Sequence, residues 1–178
     1  ERAHEIERAE DRYYLHAFDD EQVMAGQGTI GLEILDDLPD VDTVVVPIGG
    51  GGLIAGIATA LEGSKSDVRV VGVQAEGAAS AAESLRTGEI VERPGVDTIA
   101  DGIATRRVGD KPFAVIQERV DEVVTVSDDQ IAVALTLLLE RAKTLVEGAG
   151  AVPLAALLEG AIDYEEGERI VPVLSGGN

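Results

Sequence analysis

The chain contains no cysteine and no tryptophan. Without thiols it can build neither a disulfide framework nor a thiolate metal site. Its two histidines, His4 and His16, both lie near one end, which argues against a His-rich metal centre. Aromatic residues make up only 3% of the sequence, and lysines are scarce: Lys65, Lys111 and Lys143 are the only three. No apolar stretch approaches the ~20 residues that span a bilayer. The first residues, Glu1-Arg2-Ala3-His4-Glu5, do not have a signal-peptide pattern. The only methionine is Met24, so the chain is expected to have lost its natural start.

Acidic residues are abundant instead. Thirty-four Asp and Glu against 14 Lys and Arg give a formal charge of −20. That charge disfavours nucleic acid and anionic membranes as partners. Many carboxylates with few lysines suggest a protein solvated for high salt, so a halophilic origin is expected; an ordinary acidic cytoplasmic enzyme is the alternative. Hydrophobic residues reach 45% over 178 residues, enough for one domain with a substantial core.

Apolar runs alternate with amphipathic stretches. Helices are expected over 3–14, 21–34 (loosened near Gly26 and Gly28), 53–62, 79–87 and 111–119. A further helix should run from Ser127 to about Glu147, and another over 152–160. Strands are expected at 43–48, 68–74, 122–126 and 170–174, with 89–109 irregular. Ser127 followed by Gln130 reads as a capping box. The continuous apolar run Thr43–Ile48 suits a buried parallel strand. Strand and helix in alternation predict an α/β fold, a doubly wound parallel sheet in three layers.

Four consecutive glycines, Gly49, Gly50, Gly51 and Gly52, join the first strand to the helix opened by Leu53. Such a turn brings backbone N–H groups and a helix N-terminus up to a phosphate. A Walker A loop is excluded, because Leu53-Ile54 stand where Gly-Lys-Ser/Thr would be. Gly50-x-Gly52-x-x-Ala55 fits the dinucleotide fingerprint, with Glu76 near the end of the next strand. Tight packing without any ligand also fits, so the loop alone leaves the ligand open.

Several blocks in order narrow it. Val23 to Ile34 (VMAGQGTIGLEI), Val46 to Leu53, Gly72-Val73-Gln74, Thr98 to Gly102, Val146 to Ala151 and Leu174-Ser175-Gly176-Gly177-Asn178 together closely resemble the threonine/serine dehydratases. These belong to the fold type II group of pyridoxal-phosphate enzymes. The resemblance implies pyridoxal 5′-phosphate as cofactor and an amino-acid substrate, L-threonine or L-serine, deaminated by β-elimination. A cytoplasmic place in amino-acid metabolism, such as isoleucine biosynthesis, and homo-oligomeric assembly are implied as well. Gly49–Gly52 and Leu53 would hold the cofactor phosphate, Ser175 would meet the pyridine nitrogen, and Gly102 and Glu147 would lie beside the ring. A serine racemase-like activity or a nicotinamide-binding oxidoreductase domain are the alternatives.

Serine racemases bind a divalent cation at positions corresponding to Gln74, Ala78 and Ser80. The charged ligands are missing here, so no metal is expected. Also missing are the lysine that forms the Schiff base, in its Ser-x-Lys-x-Arg-Gly setting, and the Asn-containing loop that grips the substrate carboxylate. Residues 1–17 are therefore expected to be a connector from a smaller domain, and 18–178 most of the large cofactor domain. The chain alone is expected to be inactive, with no catalytic residue of its own.

Overall fold

The computed structural model describes residues 2–65 and 67–177; Asn178, part of the last matching block, lies outside them. Helix α1 spans Arg2–Glu10 and α2 Glu21–Asp37. Strand β1 (Thr43–Pro47) leads through the glycines to α3 (Gly52–Ser64), β2 (Arg69–Ala75) and α4 (Ser80–Thr87). After an irregular segment come α5 (Asp110–Arg119), β3 (Glu122–Val126), α6 (Asp128–Leu137), α7 (Gly148–Leu158) and β4 (Ile170–Pro172).

The four strands are parallel throughout, in the order β3-β2-β1-β4. Alternation divides β1 between two cores. Val44 and Val46 pack with Ile54, Ile57 and Ile116 from α3 and α5, whereas Val45 faces Ala151, Val152 and Ala155 of α7. All five residues of β1 are buried, as expected for a parallel strand covered on both faces. From β1 the chain moves to β2 on one side, and β4 returns on the other. That reversal is a topological switch point, where open α/β sheets hold ligands beyond the carboxyl ends of their strands.

Several expected boundaries moved. α1 stops at Glu10 rather than at residue 14, just before Asp11 takes a left-handed conformation (φ 51°). α2 is continuous through Gly26 and Gly28, and Gly28 and Gly31 admit α3 at backbone contact. A Cβ on Gly28 would stand 2.9 Å from the Gly56 carbonyl oxygen, and one on Gly56 2.2 Å from that of Met24. Gly63 lies inside α3 rather than ending it.

The Ser127–Gln130 capping box forms as expected, but its helix does not reach Glu147. α6 passes into a wider turn over Leu138–Ala142 and ends where Lys143 adopts φ 58°. α7 then begins at Gly148, four residues earlier than expected. Gly148 and Gly150 pack its first turn against neighbours: their Cβ atoms would lie 2.7 Å from the Ile99 carbonyl oxygen and 2.6 Å from Val146 Cγ1. Both glycines serve a close approach inside the helix.

Candidate cofactor site at the switch point

Beyond the carboxyl ends of β1 and β4 lies a cavity of about 350 Å³. Every residue that the resemblance assigns to the cofactor, Gly49 to Gly52, Leu53, Gly102, Glu147 and Ser175, lines it. The glycine loop arrives from β1 and Ser175 from β4. Gly102 comes from the short turn Asp101–Ile103, and Glu147 from the residue preceding α7.

Each glycine of the loop has its own close neighbour. A Cβ on Gly49 would be 3.1 Å from Ile103 Cα, one on Gly50 2.3 Å from the Phe18 ring, and one on Gly52 2.8 Å from the Phe18 carbonyl oxygen. Gly51 takes φ 94° and faces Pro112 Cβ at 2.9 Å. It precedes α3 in the N-cap position, and no side chain caps that helix. The first N–H groups of α3 therefore lack an intrahelical acceptor. An anion there is favoured by those donors and by the helix dipole. No Lys or Arg lines the cavity among the described residues, and Glu147 is its one ionisable lining group.

Glu147 reaches the cavity because the chain straightens after Lys143. Its backbone N–H donates to the Gly176 carbonyl at 3.0 Å, joining α7 to the segment carrying Ser175. Its Oε1 lies 2.8 Å from where a Cβ on Gly102 would stand and 2.5 Å from one on Gly176. The carboxylate thus occupies a slot between two glycines, and any side chain at either would displace it. Ser175 is exposed.

Sequence reasoning missed Phe18, Val23, Gln27 and Thr105, which also line the cavity. The signal for Phe18 was the pair Asp19-Asp20 directly before a helix. One aspartate suffices as N-cap, so the second has another task. Asp20 accepts from Gln22 N and Val23 N at the start of α2. The Tyr13 hydroxyl donates to it at 2.5 Å and, with those amides, holds the carboxyl below the ordinary aspartate range. Asp19 instead accepts from Asp110 N and Lys111 N, closing the start of α5. No sequence pattern marks Thr105, whose hydroxyl is buried without a hydrogen-bond partner.

At the positions considered for a divalent cation, Gln74 is fully buried. Its amide donates to the carbonyls of Ile48 and Ala78 and accepts from Ala82 N. A neutral amide thus fills the space beside the Ala78 carbonyl. Among the described residues, no group of three or more His, Cys, Asp or Glu could hold a metal.

The lysines all lie elsewhere. Lys65 follows the far end of α3 and donates to the Pro39 and Val41 carbonyls, roughly 20 Å along the helix from the glycine loop. Lys111 pairs with Glu21, which raises its pKa. Lys143 donates to Glu140 O. None lines the cavity.

The chain is also similar to known proteins in sequence and in structure. The chain is 56% identical over 165 residues to an L-threonine ammonia-lyase of Geobacter sulfurreducens, covering 93% of this chain and 41% of that protein. The crystal structure of a T.th. threonine deaminase superposes with a TM-score of 0.92 at 40% identity, over 98% of this chain and 65% of the other. Maize serine racemase gives 0.93 at 35%, over 98% and 54%. The chain therefore spans about half the length of such relatives. A family described as pyridoxal-phosphate dependent enzyme matches residues 1–176, and the chain belongs to that family.

Proposed function

We propose that these residues form the phosphate-binding part of a pyridoxal 5′-phosphate site. The enzyme would remove the β-hydroxyl and amino groups of L-threonine, and of L-serine, to give a 2-oxoacid and ammonia. The observation that carries this reading is the convergence of the glycine loop, Gly102, Glu147 and Ser175 on one switch-point cavity. The names of the relatives supply the substrate class.

The residues fit the cofactor. An uncapped helix N-terminus behind four glycines suits a phosphate monoester, and the family match supports pyridoxal phosphate over a dinucleotide. When bound, the cofactor supplies an electron-withdrawing pyridine ring that stabilises negative charge at the substrate Cα. The chain's own groups bind and orient it. The amides of Gly49–Gly52 and the start of α3 at Leu53 are assigned to the phosphate. Ser175 is assigned to the ring nitrogen, where a neutral hydroxyl leaves that nitrogen uncharged. Gly102 and Glu147 are assigned to the side of the ring. Moving the Cα proton needs a base beside the substrate, and none of the three lysines lines the cavity.

In this reading residues 18–178 make up most of the large cofactor domain and 1–17 a connector. The protein is a cytoplasmic homo-oligomer from a halophile, binds neither nucleic acid nor a divalent cation, and depends on residues outside this chain for turnover. A serine racemase-like activity is the second reading, favoured by the likeness to maize serine racemase.

Incubating the chain with pyridoxal phosphate and threonine tests the assignment. Retained cofactor, with no 2-oxobutyrate beyond what pyridoxal phosphate and threonine form without the chain, is expected. 2-Oxobutyrate released beyond that would contradict the assignment of the lysines, and retention of NADH instead of pyridoxal phosphate would contradict the cofactor.

A further inference from the structure

We infer that His16 and Phe18 are positioning residues for the glycine loop, and that the turn held by the His16 imidazole sets how tightly the loop takes a phosphate ester. This rests on the pyridoxal-phosphate reading above. His16 Nδ1 lies 2.9 Å from Asp19 N and 3.3 Å from Phe18 N, and accepts from both. Two amides pointing at one ring nitrogen require that nitrogen to be unprotonated. The geometry is that of an Asx-type turn, with the imidazole standing where an Asn or Asp oxygen would otherwise accept.

The turn places the Phe18 ring on the backbone of Gly50, within 2.4 Å of where a Cβ there would stand. The His16 ring meets Phe18 edge-on, with centroids 4.7 Å apart and planes at 86°. Asp19 then fastens the strap to the start of α5. That helix start is itself tied to the loop, because Gly109 N donates to Gly50 O at 2.9 Å. Gly50 is thus held by an aromatic ring on one side and a backbone hydrogen bond on the other. Rigid placement matters because donors fixed before binding need not be ordered when the ligand arrives.

The chain has only two phenylalanines, Phe18 and Phe113, so incorporation of 4-fluorophenylalanine gives one fluorine signal for each. Phe113 is buried in the core beside α3 and reports on the fold. Pyridoxine 5′-phosphate, which lacks the aldehyde, is the probe, since it cannot form imines with surface lysines. In His16→Ala the Phe18 signal should move toward that of the free amino acid while Phe113 stays in place. Binding should weaken roughly tenfold, the scale of losing one or two neutral hydrogen bonds. His16→Asn, which restores an acceptor at that position, should recover both the Phe18 signal and the affinity.

An unchanged Phe18 signal or unchanged affinity in His16→Ala would overturn the inference, as would failure of His16→Asn to rescue. If the Phe18 signal follows His16 but the unsubstituted chain takes up no pyridoxine 5′-phosphate, the proposed function fails, and the role in phosphate binding fails with it.

Discussion

Glu147 donates its backbone N–H to the carbonyl of Gly176 at 3.0 Å, while its carboxylate oxygen stands 2.5 Å from where a Cβ of Gly176 would be. One contact ties α7 to the segment that carries Ser175, and the other fixes the carboxylate at the cavity wall. Gly176→Ala should therefore push the carboxylate aside and weaken pyridoxine 5′-phosphate binding about tenfold with little change in Tm. Adding Glu147→Ala to Gly176→Ala should recover part of that loss, because the clash is then gone. A double-mutant cycle on binding measures this coupling, and strictly additive effects would contradict it.

Gly51 and Gly88 both have positive φ, 94° and 80°, but only Gly51 is enclosed. A Cβ on Gly88 meets nothing within 4 Å, whereas one on Gly51 meets Pro112, Ile116 and Val108 at 2.9–3.1 Å. Gly88→Ala should cost about 1 kcal/mol from backbone strain alone. Gly51→Ala adds overpacking and should cost about 3 kcal/mol. Urea unfolding of the two variants separates the contributions, and equal losses would contradict the packing around Gly51.

Asp20 is held below the ordinary carboxylate range first by the Tyr13 hydroxyl and then by the amides at the start of α2. A depressed pKa contributes stability that is present above the unfolded value. It is lost as pH falls through the folded one. Asp20→Asn keeps a good N-cap but not the charge, so it should be less stable than the parent at pH 7. The gap should close as pH drops below about 4. Urea midpoints across that range test this, and a gap that does not vary with pH would contradict the role of the charge.

The fold was largely legible because its signals are local. A strand built on three consecutive valines, Val44 to Val46, glycines before a helix, and Ser127 with Gln130 each carry their meaning in adjacent residues. What was misread depended on contacts across the chain. Gly28 reads as a loosened point in the helix because the sequence does not reveal that α3 approaches α2 at Gly56. The end of α6 was placed too late because Lys143 in a left-handed conformation has no residue signature of its own. In the site, the residues supplied by the family resemblance do meet at one cavity. Phe18 was overlooked because its role lies in resting on a loop more than 30 positions away.

A charge of −20 on 178 residues implies self-repulsion that salt relieves. Raising KCl from about 0.1 M to about 1 M, where the Debye length falls to about 3 Å, should raise Tm by several degrees. A flat or falling Tm would count against a chain adapted to high salt.

The switch-point cavity is proposed to bind a phosphate ester through backbone groups and Ser175, with no contribution from any of the three lysines. Calorimetric titration of the chain with pyridoxine 5′-phosphate tests it most directly. Saturable one-to-one binding is expected, weakened by Ser175→Ala and left intact when all three lysines are replaced by arginine. No binding, or binding that disappears with the lysines, would contradict it.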